Sequence, residues 1–365
     1  MMGKDEFFDY IKDNVKNYLP PVYQGADVEL ISSVKNNDLS LTGIVIRNQG
    51  ETVAPNIYLD SLYERYKDGG MSEEQALKEV VKIREELNEP ELGFDVNLMT
   101  DYDSIKYMLQ IRICDPEKNE ERLKNAVATM HGDFAAVYYV NFGEIGAAAV
   151  TPQMFCNWGI SMEQLHADAI AADKSRTPIL NKLNDLIENL MFGNEPVNLL
   201  NVIALEDKKE PENMFGISEM EIPMYCLTNS EKENAAALIL NKEVMAAVGD
   251  VLGNDFYVLP ASVHEAMLVP ATAEIELSLL QQMVKEINET DVLPGDVLSD
   301  KVQYYDRSIG ALENAQERQG RMEKEKTAEK EPKSVLAMLA EKKEQSMAAG
   351  KDLVQKGKNI PQLTM

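Results

Sequence analysis

The sequence predicts an α+β fold in which mainly antiparallel sheet elements pack against amphipathic helices, followed by a disordered or transiently helical C-terminal tail. Two patterns predict this class. A β-hairpin signal comes early in the chain, and the later strands and helices alternate with connections of irregular length, unlike the regular crossovers of a doubly wound α/β sheet. With 365 residues, the chain is long enough for one large domain or two modest ones.

The first elements are predicted to be an amphipathic helix and a hairpin. Apolar residues recur at helical spacing over residues 7–19, and a Pro-Pro pair then prevents the helix from continuing. Two β-prone runs, residues 28–34 and 39–47, flank the sequence Asn-Asn-Asp at residues 36–38, whose side chains tolerate positive φ. This pattern predicts a hairpin with its turn at these three residues.

Two helices are predicted next. The first centres on Leu62 and ends at Gly69, because glycine readily takes the left-handed conformation that closes a helix. The second opens at Ser72, with Gln75 just after it, and carries apolar residues at helical spacing as far as Leu87.

The middle of the chain is predicted to mix strands and helices. Residues 107–114 and 134–142 are rich in β-prone side chains, and the small residues 147–150 are expected to pair with the second run across a turn. A long helical zone is predicted over residues 161–191, with one interruption near Pro178.

The third portion is predicted to continue this loose alternation. Its expected elements are strands at 199–204, 224–228 and 256–260, helices at 230–240, 242–251 and 273–287, and a Tyr304-Tyr305 segment that forms a last helix or a cap.

Residues 313–365 differ in composition from the rest of the chain. They include no aromatic residue and are rich in Lys, Glu, Gln and Ala, so they are not expected to bury enough apolar surface to offset the entropy of ordering. We therefore predict an acidic folded region over residues 1–312, with a division into subdomains at about 1–150 and 151–312 as an option, and a Lys/Glu-rich tail.

The predicted tail contains a short apolar motif at residues 334–340. Its apolar side chains lie on one helical stripe and are Val335, Leu336, Met338 and Leu339. Such a stripe within charged sequence is typical of a linear motif that binds a groove on a partner, and a transient helix without a partner is an equal alternative.

The net charge of the chain indicates which classes of partner it can bind. The formal net charge is -26, which disfavours direct nucleic-acid binding by the folded body and favours a basic protein partner. No apolar run approaches the roughly 20 residues that span a bilayer, so no membrane insertion is expected. Acidic residues at positions 5, 6 and 9 argue against a signal peptide, and we expect a cytoplasmic protein.

The sequence carries no motif that demands a cofactor. There is no GxxxxGK[ST], no GxGxxG after a strand and no GxSxG, so no cofactor is expected. Cys114, Cys156 and Cys226 lie far apart, which predicts buried free thiols and no metal site. The single tryptophan, Trp158, is expected to pack in the core, with an exposed recognition anchor as the alternative.

Each of the three histidines has an acidic residue nearby. A structural role is favoured over a catalytic one for His131, His166 and His264, although His264 is the most suggestive because Glu265 follows it. A zinc protease motif, HExxH, is excluded because Leu268 occupies the position of the second histidine.

The string DFYVLPASVHE at residues 255–265 resembles the DUF5688 family, as does the N-terminal order of amphipathic helix, hairpin and paired helices. The resemblance covers about residues 1–310, and its most specific part is Leu-Pro-x-Ser-x-His-Glu. It implies a bacterial cytoplasmic protein of gut Firmicutes, often encoded among mobile-element genes, and it implies no activity. It gives weight to His264 and Glu265 as a constrained site, structural or functional.

Three functional hypotheses follow from these patterns. The preferred one is a non-enzymatic protein-interaction or accessory factor, based on the acidic body, the missing catalytic signatures and the tail motif. The second is an enzyme that acts on a basic or cationic substrate, with catalytic candidates at His264, Glu265, Ser262 and Tyr257. The third is an acidic mimic that binds a basic or nucleic-acid-binding protein.

Overall fold

The structure is a computed structural model that describes residues 1–51, 54–86, 96–143, 146–173, 176–193, 195–204, 222–272 and 275–330. The chain divides into two compact units, residues 1–315 and 316–365. The predicted α+β class is confirmed, since helices accompany three antiparallel sheets in the first unit.

The helices and strands follow in chain order. The helices are α1 (Lys4–Asn14), α2 (Asp60–Lys67), α3 (Glu73–Glu86), α4 (Tyr102–Ile105), α5 (Glu120–Leu123), α6 (Pro152–Trp158), α7 (Met162–Asp173), α8 (Leu183–Phe192), α9 (Lys242–Leu252), α10 (Leu277–Thr290) and α11 (Ala315–Lys330). The strands are β1 (Asp27–Val34), β2 (Ser40–Arg47), β3 (Asn56–Tyr58), β4 (Leu109–Cys114), β5 (Ala128–His131), β6 (Phe134–Asn141), β7 (Ala147–Ala149), β8 (Pro178–Lys182), β9 (Tyr225–Asn229), β10 (Phe256–Leu259), β11 (Ala266–Pro270), β12 (Gln303–Asp306) and β13 (Ala311–Asn314).

The N-terminal layer consists of α1, α2, α3 and the sheet β1-β2-β3, which share one core. Helix α1 packs there because its apolar spacing puts Phe7, Phe8 and Ile11 on one face, and all three are buried. Ile44 and Ile46 of β2 face the same core. The predicted first helix, the hairpin and the helix pair are confirmed.

The turn of the β1-β2 hairpin ties this layer to the C-terminal part of the unit. Asn37 and Asp38 have φ of 58° and 50°, a left-handed conformation that Asn and Asp tolerate better than most residues. Asn36 Nδ2 donates to the carbonyl oxygens of Gly295 (3.0 Å) and Val297 (3.1 Å).

The same turn caps a helix that lies far along the chain. The carboxylate of Asp38 accepts the backbone N–H groups of Glu121 and Arg122, both at 2.9 Å. These N–H groups belong to the first turn of α5 and have no partner within that helix, so Asp38 supplies the acceptor that a local N-cap residue usually provides.

The second sheet is built around β6, with β4 on one side and both β5 and β7 on the other. Phe134, Ala136 and Tyr138 of β6 face the largest core, which also contains Leu165 of α7. The opposite face of β6 carries Val137 in a smaller apolar cluster. The predicted strand at 134–142 and its pairing with 147–150 are confirmed.

The third sheet has six strands in the order β13-β12-β10-β11-β9-β8. Along β10, Phe256 and Val258 face the largest core, whereas Leu259 faces a separate core beneath α10. The centre of this sheet is therefore buried on both faces, which explains why its strands are almost continuously apolar.

One predicted strand in this region is wrong. Residues 199–204 form a 3-10 helix, Leu199–Ala204. Asn198 accounts for the difference, because its Oδ1 accepts the N–H groups of Leu180 (3.0 Å) and Leu200 (3.1 Å), and its Nδ2 donates to the carbonyl of Pro178 (2.9 Å). The side chain of Asn198 thus bonds to the free edge of β8, and residues 199–204 do not pair with that edge as a strand.

Three further predictions need correction. The helical zone predicted over 161–191 is divided by a strand, β8, which begins at Pro178; proline suits an edge strand because it has no N–H to donate. The Tyr304-Tyr305 segment belongs to strand β12, between β10 and β13, and forms no helix. The helix predicted over 230–240 is reduced to the 3-10 helix Ala235–Leu240.

The last described elements of the chain are β13 and α11. Strand β13 ends at Asn314, and α11 then continues to Lys330. The motif at 334–340, with Val335, Leu336, Met338 and Leu339, lies outside the described residues. Within the described ranges, no helix combines the length and the apolar character needed to cross a bilayer.

Candidate functional site

His264 and Ser262 lie in the connection between β10 and β11. Ser262 Oγ accepts the backbone N–H of His264 at 3.0 Å. His264 Nδ1 accepts the N–H of Asn234 at 3.4 Å, and Nε2 lies 3.4 Å from Asp296 Oδ1. Because Nδ1 acts as an acceptor, the hydrogen-bond network assigns the proton of a neutral ring to Nε2, where it faces Asp296. Both ring nitrogens therefore have protein partners.

The backbone around Ser262 is braced by the loop that precedes β12. The N–H of Leu298 donates to the backbone carbonyl of Ala261, that of Ser299 to the carbonyl of Pro260, and that of Val263 to the carbonyl of Asp296, each at 2.9 Å. The carbonyl groups of the same loop also accept the hydrogen bonds from Asn36 of the hairpin turn. The Leu-Pro-x-Ser-x-His string thus forms part of a joint between distant segments.

The other two predicted candidates have different surroundings. Tyr257 packs in the core beneath α10, with its ring centroid 5.3 Å from that of Tyr304. Glu265 lies near the Cys226 thiol, whose pKa is raised to about 12 by burial and, to a smaller extent, by this carboxylate. Tyr257 therefore belongs to the opposite face of the sheet from Val258, and its packing does not involve His264.

The structure brings together two histidines that the sequence did not connect. His131 of β5 stacks on His166 of α7, with ring centroids 5.1 Å apart. A chain of hydrogen bonds also joins them, from His131 Nε2 to Thr129 Oγ1 (2.9 Å), from Thr129 Oγ1 to the Tyr138 hydroxyl (2.8 Å) and from that hydroxyl to His166 Nδ1 (2.9 Å). Burial lowers the pKa of both rings, and the proximity of His166 lowers the pKa of His131 further.

This histidine pair predicts that acid destabilises the fold. Because both pKa values lie below the ordinary 6.5, the unfolded chain binds more protons than the folded chain as the pH falls. The stability gained from the neutral rings is fully present above about pH 6.5 and is lost as the pH falls through the folded-state pKa. We expect the free energy of unfolding, measured by urea titration, to fall between about pH 7.5 and pH 5.

The carboxylates of this acidic chain also titrate in acid, so the variant His131→Asn/His166→Asn is needed as a reference. Its stability is expected to vary less with pH than that of the wild type over the same range. Parallel pH profiles for the two proteins would contradict the assignment.

A cavity of about 680 Å³ lies beside α4, α6 and the start of α7. Two aromatic rings line it, Tyr102 and Trp158, with centroids 5.4 Å apart. Trp158 is half-buried and also packs against the largest core. The charged residues that line the cavity are Asp101, Asp103, Asp168 and Lys106. Nothing in the local sequence around Trp158 indicates that residues 101–106 lie beside it.

Helix α8 carries an exposed apolar face. None of its residues is buried, and Leu190, Met191 and Phe192 are 88%, 69% and 65% exposed. Ile187 and, just beyond the helix, Val197 are also exposed. A contiguous exposed apolar patch is uncommon on a soluble monomer and is typical of an interaction surface.

The cysteines do not form a shared site. Cys114 and Cys226 are buried, and burial raises the pKa of the Cys114 thiol to about 11. Cys156 is exposed, contrary to the prediction that all three thiols are buried, because it lies on the outer side of the short helix α6. In the part of the chain that the structure describes, no three His, Cys, Asp or Glu side chains are arranged to hold a metal ion.

The family described as "Family of unknown function (DUF5688)" matches residues 4–307. No curated protein matches the chain. No solved structure matches it either.

Proposed function

The chain belongs to the DUF5688 family, whose function is unknown, and on the geometry of its surface we propose that it is a non-enzymatic protein-interaction factor that binds its partner through the apolar face of α8. The single observation that carries this proposal is the exposure of Ile187, Leu190 and Met191, whose spacing places them on one face of the helix.

The exposure of these side chains is unusual because it is contiguous. An isolated exposed leucine is ordinary, whereas exposed apolar side chains at positions i, i+3 and i+4 share one face of a helix and leave a continuous apolar surface in water. Covering this surface on binding would release the water that contacts it, which is the main driving force of most protein associations. Within the described part of the chain, α8 packs against β8, the strand that directly precedes it.

The charges around this face indicate the chemistry of the partner. Asp185 and Glu188 lie on α8, and Glu195 follows it, within a chain of net charge -26. A partner segment with an apolar stripe and flanking Lys or Arg residues complements both features, since its cations meet carboxylates at the rim of the apolar contact. We therefore propose a basic amphipathic helix as the partner element.

Replacing Leu190 with glutamate is expected to weaken this association by about tenfold and to leave the fold intact, because the side chain is 88% exposed. The probe is a fluorescein-labelled synthetic helix with leucine on one face and lysine on the other, and its binding is measured by fluorescence anisotropy. A peptide in which aspartate replaces lysine is expected to bind more weakly.

The matched control is Leu279→Glu, which adds the same charge at an exposed leucine on α10. It is expected to bind the lysine peptide like the wild type. If Leu190→Glu and Leu279→Glu bind the peptide equally well, α8 is not the docking surface.

The alternatives have weaker support. An enzyme centred on His264 would need a ring nitrogen available to substrate, whereas Nδ1 accepts the Asn234 N–H and Nε2 faces Asp296. A role as an acidic mimic stays a prediction, to be tested by competition between the protein and nucleic acid for a nucleic-acid-binding partner.

A further inference from the structure

We propose that the cavity lined by Tyr102 and Trp158 is a binding site for an organic ammonium ion. The juxtaposition that supports it is a pair of aromatic rings with three carboxylates around one cavity of about 680 Å³. This site is separate from the apolar face of α8 and does not depend on the proposed function.

The two aromatic side chains have their polar atoms bound by the protein. The Tyr102 hydroxyl donates to Asp168 Oδ2 at 2.7 Å, and Trp158 Nε1 donates to the carbonyl of Met99 at 2.8 Å. Burial, with Asp168 as a second cause, raises the pKa of Tyr102 well above its ordinary value, so the phenol stays neutral. What both residues can present to a ligand is therefore mainly ring surface, which attracts cations.

The charged groups of the cavity have the sign that a cation requires. Three carboxylates, from Asp101, Asp103 and Asp168, accompany a single lysine, Lys106, which pairs with Asp103 at 2.7 Å. Gln164 Nε2 also donates to Asp168 Oδ2, at 2.8 Å, so this carboxylate is held by two donors on the wall of the cavity. Two negative charges remain after the lysine is paired.

The combination favours an ammonium ion that carries hydrocarbon over a bare metal ion. Ring faces and fixed carboxylates together contact an alkylammonium group through its methyl or methylene surface as well as its charge. The three carboxylates of the cavity do not come together as a metal-ligand cluster within the described ranges. The volume also exceeds what a single metal ion occupies and falls within the range of small-molecule sites, about 300–1,000 Å³.

The protein contains one tryptophan, and it lines this cavity, so its fluorescence reports binding directly. The wild-type chain is titrated with tetramethylammonium chloride at constant ionic strength. We expect a saturable change in Trp158 emission, and we expect none with sodium chloride or with tert-butanol, a neutral molecule of similar size. Equal responses to all three would overturn the proposal.

Variants locate the site and keep the test independent of folding. Asp168→Asn is expected to raise the dissociation constant by about tenfold, and Asp103→Asn, which alters a side chain that is 82% exposed, by about threefold. Glu286→Gln on α10, which also removes one surface charge, is expected to leave it unchanged. Unchanged affinity in both aspartate variants, each shown to be folded by circular dichroism, would refute the site.

Calorimetry measures the affinity of Trp158 variants, which tests the rings, and compares the affinities of two ammonium ligands, which distinguishes a protein side chain from a small amine. Trp158→Phe is expected to keep binding, and Trp158→Ala is expected to lose it; full affinity in Trp158→Ala would contradict the role of the rings. Tighter binding of Nα-acetyl-lysine amide than of tetramethylammonium would identify a protein side chain as the natural ligand, and the reverse order would identify a small quaternary amine. Leu190→Glu is expected to bind these ions normally, so failure of one proposal does not imply failure of the other.

Discussion

Replacing Glu51 with alanine is expected to lower the free energy of unfolding by about 3 kcal/mol, because it breaks an ion pair whose cation is buried. The Arg84 side chain is 1% exposed, and its Nη2 donates to both carboxylate oxygens of Glu51, at 2.5 and 2.7 Å. Arg84 Nε also donates to the carbonyl of Ile46 at 2.9 Å, and the guanidinium lies 4.9 Å from the ring centre of Tyr23. Without Glu51, the positive charge stays in the core and loses this countercharge.

The expected cost is at the low end for buried pairs, since Glu51 is 26% exposed and water replaces part of the lost interaction. Urea unfolding followed by circular dichroism measures it. The control is Glu79→Ala, which removes the carboxylate partner of Arg65 from a pair that is 39% and 53% exposed and is expected to cost less than about 1 kcal/mol. Similar losses in the two variants would show that burial of Arg84 does not set the energy.

Replacing Asp38 with alanine is expected to cost about 2 kcal/mol. The change removes the acceptor for two N–H groups at the start of α5, those of Glu121 and Arg122, and charge-assisted hydrogen bonds of this kind are among the stronger ones in proteins. Alanine is also strained at the φ of 50° found here, which adds to the cost.

Two further substitutions at this position separate the causes. Asp38→Asn keeps one of the two oxygen acceptors and tolerates the left-handed backbone, so it is expected to retain part of the stability. Asp38→Gly relieves the backbone strain and still loses the acceptor, and is therefore expected to lie between Asn and Ala. An alanine variant as stable as the wild type in urea would show that the cap contributes nothing.

The elements of the N-terminal layer were predicted correctly because the residues that define each of them are close together in the sequence. The hairpin was predicted from the Asn-Asn-Asp turn, and the helix pair from Gly69 and Ser72 between apolar repeats. Residues 199–204 failed for the opposite reason. Their apolar run resembles a strand, and the decisive hydrogen bonds of Asn198 are made to β8, about 20 residues earlier in the chain.

The candidate sites were less predictable, because they are assembled from distant segments. His131 and His166 were each interpreted alone, and nothing in either local sequence indicated that the rings stack. Arg84 is an instructive exception. It follows Leu77, Val80 and Val81 at helical spacing on the buried face of α3, and no role was predicted for it, although this spacing was readable from the sequence.

The hydrogen bonds from Asn36 to Gly295 and Val297 span 259 and 261 residues. Among the described residues, the side chains that pack in the N-terminal core extend along the chain as far as Arg84, so this core is able to close while most of the chain is still being translated. At roughly 5–20 residues per second, the ribosome takes about 10–50 s to make the segment that the turn will meet. The turn lacks these two partners during that interval, and the joint around the Leu-Pro-x-Ser-x-His string can form only after residues 295–297 have been translated.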